Sequence, residues 1–438
     1  MEKSFYIETY GCQMNEYDSE LIAGLLGRSG LRQVSVPEQA DIVLVNACSV
    51  RDRAEQRIWG RLGELKQMKQ ARPDLVFVLC GCMAQRLGSM VRKRAPYVDI
   101  VAGPDTYRRL PDIIRHQSGT PACLQELDAE ETYSDLLPLR ADAVQAWAAI
   151  MRGCDNDCSY CIVPSVRGPA RSRPASDIVA EVRDAVERGC KEVTLLGQNV
   201  NAYRCDGLGL AGLLRRLDET KGLERIRFTT SHPRDMTAEI IQAVAEGDHI
   251  CEHIHLPVQS GSTPVLEAMN RHYTAEAYLR LVDLIRRSIP DVSITTDIIV
   301  GFPGERDADF QATLNMVREV SFDSAFMFRY SPRPGTAAME MIDDIPEEVK
   351  IERLEELIGL QRSLVDRASK EMIGRVVEVL VDGESRKGNG QMRGRTRQGQ
   401  TVVFAADASC VGLCWPVMIE KAEAWTLWGR RIESSPDR

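Results

Sequence analysis

Ala146-Trp-Ala-Ala-Ile-Met-Arg-Gly-Cys154-Asp-Asn-Asp-Cys158-Ser-Tyr-Cys161 begins as a short apolar run and ends as a loop of three thiols, spaced by three residues and then two. An apolar run closed by glycine reads as a strand and its turn, so the cysteines fall at the carboxyl end of a strand. Thiolates are soft ligands that hold iron–sulfur clusters, and a tight loop can place three on one cluster. A four-iron cluster wants four ligands. Three leave one iron open, and an open position marks a catalytic metal site where a closed one marks a structural site. Structural zinc is the competing reading; downstream, within about thirty residues, only Cys190 offers a further thiol, at a helix end.

Outward from this loop the chain keeps a strand–helix rhythm. Strands are expected at 146–151, 192–197, 224–230, 250–256, 292–300 and 323–330, with helices between them. In the first helix Ile178, Val179, Val182, Ala185 and Val186 share a face, Ser176 is a candidate N-cap and Gly189 a stop. Six β/α units predict a TIM-like barrel short of the full eight, a partial (β/α)6 barrel over 146–371 with its site at the carboxyl ends of the strands. A long charged helix at about 346–371 leads out. Upstream, 1–118 reads as a parallel α/β sheet domain with strands at 4–8, 41–46, 75–80 and 98–101 and helices at 17–29, 52–70 and 84–95. The acidic, polar stretch 119–145 reads as a linker. Beyond 372 the texture changes to short strands (376–381, 401–404, 415–422) between glycine turns, a small C-terminal β-barrel over 372–438. The fold class is therefore α/β multidomain.

The chain has 438 residues, 44% hydrophobic and 27% charged, which is the composition of an enzyme of about three domains and excludes a disordered or fibrous chain. A net charge of -9 gives no global positive field to draw nucleic acid, so such binding must be local. The stretch 385–400 offers it, with Arg386, Lys387, Arg393, Arg395 and Arg397 and no acid. No apolar run approaches the ~18 residues of a membrane span, and the first eight residues lack the apolar stretch of a secretory signal. A soluble, cytoplasmic protein with no membrane partner is expected. Thirteen cysteines in a reducing compartment point to metal or redox use.

A second constellation is Cys12, Cys48 and Cys82, each just after one of the first three strands of the N-terminal domain and next to glycine or another small residue. That shared placement puts them at the carboxyl edge of one sheet, where such folds form ligand crevices. Cys80, inside its strand, reads as core. His253 and His255 are expected on opposite sides of their strand, and so as poor partners for one metal.

The cysteine spacing, Tyr160 before the last cysteine and the position after the first barrel strand resemble the radical S-adenosylmethionine (SAM) superfamily. With the N-terminal cysteines and the C-terminal barrel, the whole chain is similar to the methylthiotransferases. The resemblance implies two 4Fe-4S clusters, one on Cys154, Cys158 and Cys161 that cleaves SAM reductively to make a radical, and one on Cys12, Cys48 and Cys82 that carries or donates sulfur. The stretches Leu196-Gly-Gln-Asn-Val-Asn-Ala-Tyr203, Phe228-Thr-Thr-Ser-His-Pro-Arg-Asp-Met236 and His255-Leu-Pro-Val-Gln-Ser-Gly-Ser262 look most like the branch acting on isopentenyladenosine in tRNA. The other branches act on threonylcarbamoyladenosine in tRNA or on an aspartate of a small-subunit ribosomal protein; a non-catalytic RNA-binding protein with structural metal is the rival of another class. The implied reaction is methylthiolation of adenosine C2 beside the anticodon. Polar acid–base chemistry has no easy entry to that unactivated C–H bond. Gln198 and Asn199, then Gln259, Ser260, Asp297 and Tyr160, are the expected SAM contacts. The C-terminal barrel resembles the TRAM domain, an OB-like RNA-binding module, whose arginine stretch would track phosphates. Implied partners are tRNA carrying isopentenyladenosine, a reductant and iron–sulfur assembly proteins, with the enzyme itself a monomer.

Overall fold

A computed structural model describes residues 3–49, 52–116, 120–140, 144–385, 390–423 and 425–432. The N-terminal sheet contains β1 (Ser4–Tyr10), β2 (Arg32–Gln33), β3 (Ile42–Ala47), β4 (Val76–Cys80), β5 (Ile100–Ala102) and β6 (Ala122–Leu124) in the spatial order β2-β1-β3-β4-β5-β6. Every pairing is parallel. Its central strands are apolar on both faces because helices cover both, and separate apolar clusters form on the two sides. The expected helix 84–95 is two, Cys82–Leu87 and Ser89–Arg94, broken at Gly88 with φ +48. The stretch expected as a linker is partly built into this body: β6 extends the sheet, and the Tyr133 hydroxyl accepts from Tyr107 N at 3.0 Å and donates to Pro104 O at 2.9 Å.

The central body carries β7 (Gln145–Ala149), a small pair β8 (Met151–Arg152) and β9 (Arg171–Ser172), β10 (Glu192–Leu196), a second small pair β11 (Arg204–Cys205) and β12 (Leu208–Gly209), β13 (Arg225–Phe228), β14 (His253–His255), β15 (Ser293–Val300) and β16 (Ser324–Arg329). β7-β10-β13 and β14-β15-β16 are parallel sheets joined by a parallel bridge, Ile226 to Ile250, which gives the open six-strand half-barrel that the sequence predicted. The apolar side of each strand packs outward on the helices. The concave side carries Glu192, Arg227, His255, Thr295 and Asp297, with Phe326 55% exposed on the last strand. Two sequence expectations are corrected. His253 and His255, two apart on a strand, share a face, and both imidazoles bond Thr295 Oγ1, at 3.2 and 3.0 Å. Helix Ala175–Glu187 starts after Pro174, and the Ser176 hydroxyl bonds Asp177 and caps nothing.

The C-terminal strands β17 (Val376–Glu384), β18 (Gln391–Arg395), β19 (Thr401–Ala405), β20 (Cys414–Glu423) and β21 (Thr426–Arg431) close a barrel in the order β17-β18-β19-β21-β20. It docks on the amino ends of the half-barrel strands. Arg227 donates to Thr396 O and Arg397 O, both at 2.7 Å, and to Glu192 at 2.9 Å. Arg397 in return holds the Glu252 carboxylate at 2.8–3.1 Å and donates to Ile250 O at 2.7 Å and Asp248 O at 3.0 Å. Among the described residues no helix is long and apolar enough to cross a membrane.

Charged hydrogen bonds are worth about 1.5–3 kcal/mol each, so Arg397→Ala should loosen the docked barrel by about 2–3 kcal/mol. Trp415, Trp425 and Trp428 report its unfolding. In urea their fluorescence is expected to show an earlier, separate transition; one unchanged transition would contradict this account of the docking.

Candidate functional site

The carboxyl edge of the N-terminal sheet collects Cys12, Cys48 and Cys82. Cys12 stands exposed at the start of helix Gln13–Arg28, Cys48 follows β3 and Cys82 opens helix Cys82–Leu87. Two glycines allow the close approach. A Cβ on Gly11 would lie 2.7 Å from Cys48 Cβ, and one on Gly81, at φ +91, would lie 2.3 Å from Asn46 Oδ1 and 2.8 Å from Ala47 O. Asn46 cannot yield, because its amide donates to Asn15 O and Ser19 Oγ, both at 2.9 Å, and accepts from Asn15 Nδ2 at 3.0 Å. Hydrogen bonding with Cys48 first, and then the charge of Arg167, pulls the Cys12 thiol down to about 6. Burial pushes Cys82 up, against the pull of Arg167.

The second trio lies on the loop after β8. Cys154 N bonds Gly168 O at 3.1 Å, Cys161 N bonds Cys158 O at 3.0 Å, and Ser159 is tied to Met269 O and Ala268 O at 3.0 and 2.8 Å. Burial, then the neighbouring Cys158 and Cys154, pushes Cys161 up to about 12. Thiols raised in this way become good ligands only when a metal takes the place of the proton. Among the described residues no three His, Cys, Asp or Glu side chains are gathered closely enough to hold a single metal ion.

The two trios meet at one interface. Helix Val163–Arg167, directly after Cys161 and Ile162, lays Ile162 and Val166 against Cys82, and Arg167 Nε is 3.2 Å from Cys82 Sγ. The interface is fixed by a fully buried carboxylate. Asp18 pairs with Arg152 at 2.7 Å and with Arg167 at 2.8 Å, so one anion faces two cations. Arg171 repeats the device on Asp105 at 2.8 Å. The surplus positive charge beside Cys12 and Cys82 suits thiolates and an anionic cluster.

The expected cofactor residues divide. Gln198 and Asn199 follow the carboxyl end of β10, and Gln259 follows that of β14, where it bridges to Ile298 of β15. Gln198 Oε1 accepts from Gly153 N at 2.6 Å, which fastens it to the cysteine loop, and Asn199 Nδ2 donates to Asp235 at 2.7 Å. Gln259 holds φ +67 and Thr230, at the end of β13, φ +70. Both are strained for residues with a side chain. Buried Asn199 Oδ1, Ser231 Oγ, His232 Nε2 and Gln259 Oε1 have no hydrogen-bond partner within the protein. Such atoms call for a polar occupant, and a ligand with amino, carboxylate and ribose groups fits them. Burial first, then Arg271 and Arg234, pulls His232 down to about 2, so it is neutral; its Nδ1 accepts from Arg234 N and its proton sits on Nε2. Ser260 is turned away onto Thr313, 3.3 Å distant. Asp297 lies farther down the inner face, 3.6 Å from His255. The Tyr160 ring packs with Met269, Phe302 and Tyr330, its hydroxyl 3.4 Å from Arg271.

In the C-terminal barrel Arg397 is used for docking, and Arg393 and Arg395 face Asp382 at 2.8 and 3.9 Å. The 385–400 stretch lacks acids, but the facing strand supplies one. Arg386 and Lys387 lie outside the described residues. Sequence reasoning missed Asp18, Arg152, Arg167 and Arg271. Arginines immediately flanking the cysteine loop were the available signal for Arg152 and Arg167.

Three family descriptions match the chain: "Uncharacterized protein family UPF0004" over residues 4–103, "Radical SAM superfamily" over 149–317 and "TRAM domain" over 370–432. Curated relatives named tRNA-2-methylthio-N(6)-dimethylallyladenosine synthase include those of Moorella thermoacetica (45% identical, covering 98% of this chain and 99% of the relative) and Clostridium perfringens strain SM101 (46%, 99% and 98%). Among solved structures, the radical SAM methyltransferase TsrM of Kitasatospora setae, with cobalamin and a [4Fe-4S] cluster bound, superposes with a TM-score of 0.56 at 13% identity over 77% of each chain. That likeness is one of fold.

Gly81→Ala should displace Cys82, because neither Asn46 nor the Ala47 carbonyl can move aside. Iron in reconstituted protein is expected to fall from about eight to about four per chain; full loading would refute the role given to Gly81. In metal-free protein Cys12 should be alkylated ahead of Cys48 and Cys82. The thiolate is the reacting form, so its rate should rise with pH through about 6 and level off above, and a midpoint at the ordinary thiol value near 8.5 would contradict the site's electrostatics.

Proposed function

The chain belongs to the tRNA-2-methylthio-N(6)-dimethylallyladenosine synthase family, radical SAM methylthiotransferases that use 4Fe-4S clusters, and from that premise we propose that it methylthiolates C2 of N6-isopentenyladenosine beside the tRNA anticodon. Cys154, Cys158 and Cys161 hold the cluster that binds SAM, and Cys12, Cys48 and Cys82 hold the auxiliary cluster. When bound, these groups supply the electron, the radical that removes hydrogen from carbon, and the sulfur and methyl that take its place.

The protein's own work is to bind, orient and exclude. Gln198 steadies the cysteine loop through Gly153 N. Asn199, Ser231, His232 and Gln259 offer polar atoms to the SAM amino, carboxylate and ribose groups. Because His232 stays neutral, its Nε2–H donates over the working pH range. Arg152, Arg167 and Asp18 hold the two cysteine edges against each other, and this carries the reading: a reaction that uses both clusters on one carbon needs them at one interface.

The finer partners follow from the same reading. The enzyme works in the cytoplasm as a monomer, draws electrons from a separate reductant, and has its auxiliary cluster rebuilt by an iron–sulfur assembly protein. Arg393 and Arg395, with Arg386 and Lys387, contribute phosphate contacts, so tRNA affinity falls with salt.

Replacing Cys154, Cys158 and Cys161 together by alanine should leave about four irons per chain and abolish deoxyadenosine release. Nucleosides from cells lacking the gene should lose the 2-methylthio form and accumulate the isopentenyl precursor. Continued deoxyadenosine release by the triple variant, or unchanged nucleosides, would end the proposal.

A further inference from the structure

Each cysteine trio has one thiol within reach of a buried guanidinium. Arg167 donates from Nε to Cys82 Sγ at 3.2 Å, and Arg271 donates from a terminal nitrogen to Cys158 Sγ, also at 3.2 Å. The arginines are only 3% and 4% exposed. Neither can swing away. Arg167 is ion-paired to Asp18 at 2.8 Å, and Arg271 is held by Tyr273 Oη at 3.1 Å and Pro257 O at 3.1 Å.

A buried arginine ordinarily exists to neutralise an acid, and that explanation falls short at both places. Asp18 already has Arg152, fully buried and 2.7 Å away, so Arg167 is a second cation on a single carboxylate. Among the described residues Arg271 forms no ion pair with a carboxylate; the side chains its guanidinium bonds are the neutral phenols of Tyr273 and Tyr160 and the Cys158 thiol. A buried cation without an anion is strongly unfavourable. In both cases the side chain within reach that has no other cation and becomes anionic when a metal replaces its proton is a cysteine sulfur.

Building on the cluster assignment given above, we propose that Arg167 and Arg271 are positioning residues that each donate a charged N–H···S hydrogen bond to one cluster thiolate, Cys82 and Cys158 respectively, and so raise the reduction potentials of the two clusters independently. Reduction adds negative charge to a cluster. A fixed cation and a donor hydrogen at its thiolate therefore favour the reduced state, and removing them favours the oxidised one. Two separate arginines let the two potentials differ although the clusters share an interface.

The test is an EPR-monitored redox titration of full-length chains that carry one cluster each, made by replacing the cysteines of the other trio with alanine. Iron is measured first: about four per chain is expected, and failure of the arginine-intact chains to load overturns the cluster assignment itself. In the chain keeping Cys12, Cys48 and Cys82, Arg167→Gln should lower the reduced-to-oxidised ratio about tenfold at fixed potential, or about 59 mV for one electron. Arg167→Lys should recover part of this and Arg271→Gln none of it. In the chain keeping Cys154, Cys158 and Cys161 the pattern should reverse. Loaded clusters whose ratios do not move, or move equally with either arginine, overturn the proposal. Should a variant not fold, pulsed EPR of the otherwise unchanged protein carrying guanidino-15N arginine decides the matter: a 15N coupling to each reduced cluster is expected, and its absence overturns the proposal.

Discussion

Asp18 is a carboxylate with no access to water, placed between two domains and faced by two arginines from the other one. Burying such a group costs several kcal/mol, recovered only when the geometry of its partners is good. That makes it a poor source of stability and a strong source of specificity. Any other docking of the N-terminal sheet on the half-barrel would strand either the carboxylate or the guanidinium groups. Since Arg152 precedes the cysteine loop and Arg167 follows it, the pairing that fixes the domains also fixes the loop between them. Tyr17 and Arg173 extend the joint: Arg173 donates to Tyr17 Oη at 3.1 Å and to Glu181 at 2.7 Å.

The cysteines reach this joint because of a rule of parallel sheets. Strands that all run one way bring every following loop to the same edge. In the N-terminal domain three loops from three strands each contribute one thiol; in the half-barrel one loop contributes three. The first arrangement needs backbones to crowd, and Gly11 and Gly81 answer that need. The second needs a single loop braced from outside, and the bracing comes from Gln198 at a strand end, from Arg271, and from the Ala268 and Met269 carbonyls that hold Ser159 of the loop.

Most of the strands were legible because buried parallel strands are nearly continuous apolar runs: 41–46 and 75–80 were read within one residue of β3 and β4. What escaped depended on contacts across long sequence separations. β6 has little apolar signature of its own and exists because β5 offers an open edge. Arg397 reads locally as one of a run of cations, yet its partners Asp248, Ile250 and Glu252 lie about 145 residues away. Arg271 carries no local sign that its neighbour is a thiol. The two histidines were a failure of a different kind, since the period of two already places 253 and 255 on one face.

A closed barrel fills its interior with layers of branched side chains. Six strands cannot close, so the inner face of this sheet must be covered by something else or left polar. At the amino ends it is covered: Thr396, Arg397 and Gly399 of the C-terminal barrel sit over Arg227 and His253, held by hydrogen bonds from both sides. At the carboxyl ends it is polar and incompletely satisfied, with Asn199 Oδ1, Ser231 Oγ, His232 Nε2 and Gln259 Oε1 bonded to no protein group. Docking the C-terminal barrel at one end therefore does more than append a TRAM domain. It also covers the end of the half-barrel away from the two cysteine trios, leaving between the two bodies a cavity of about 220 Å³ lined by Arg227, His253, Thr295, Gly399 and Trp425.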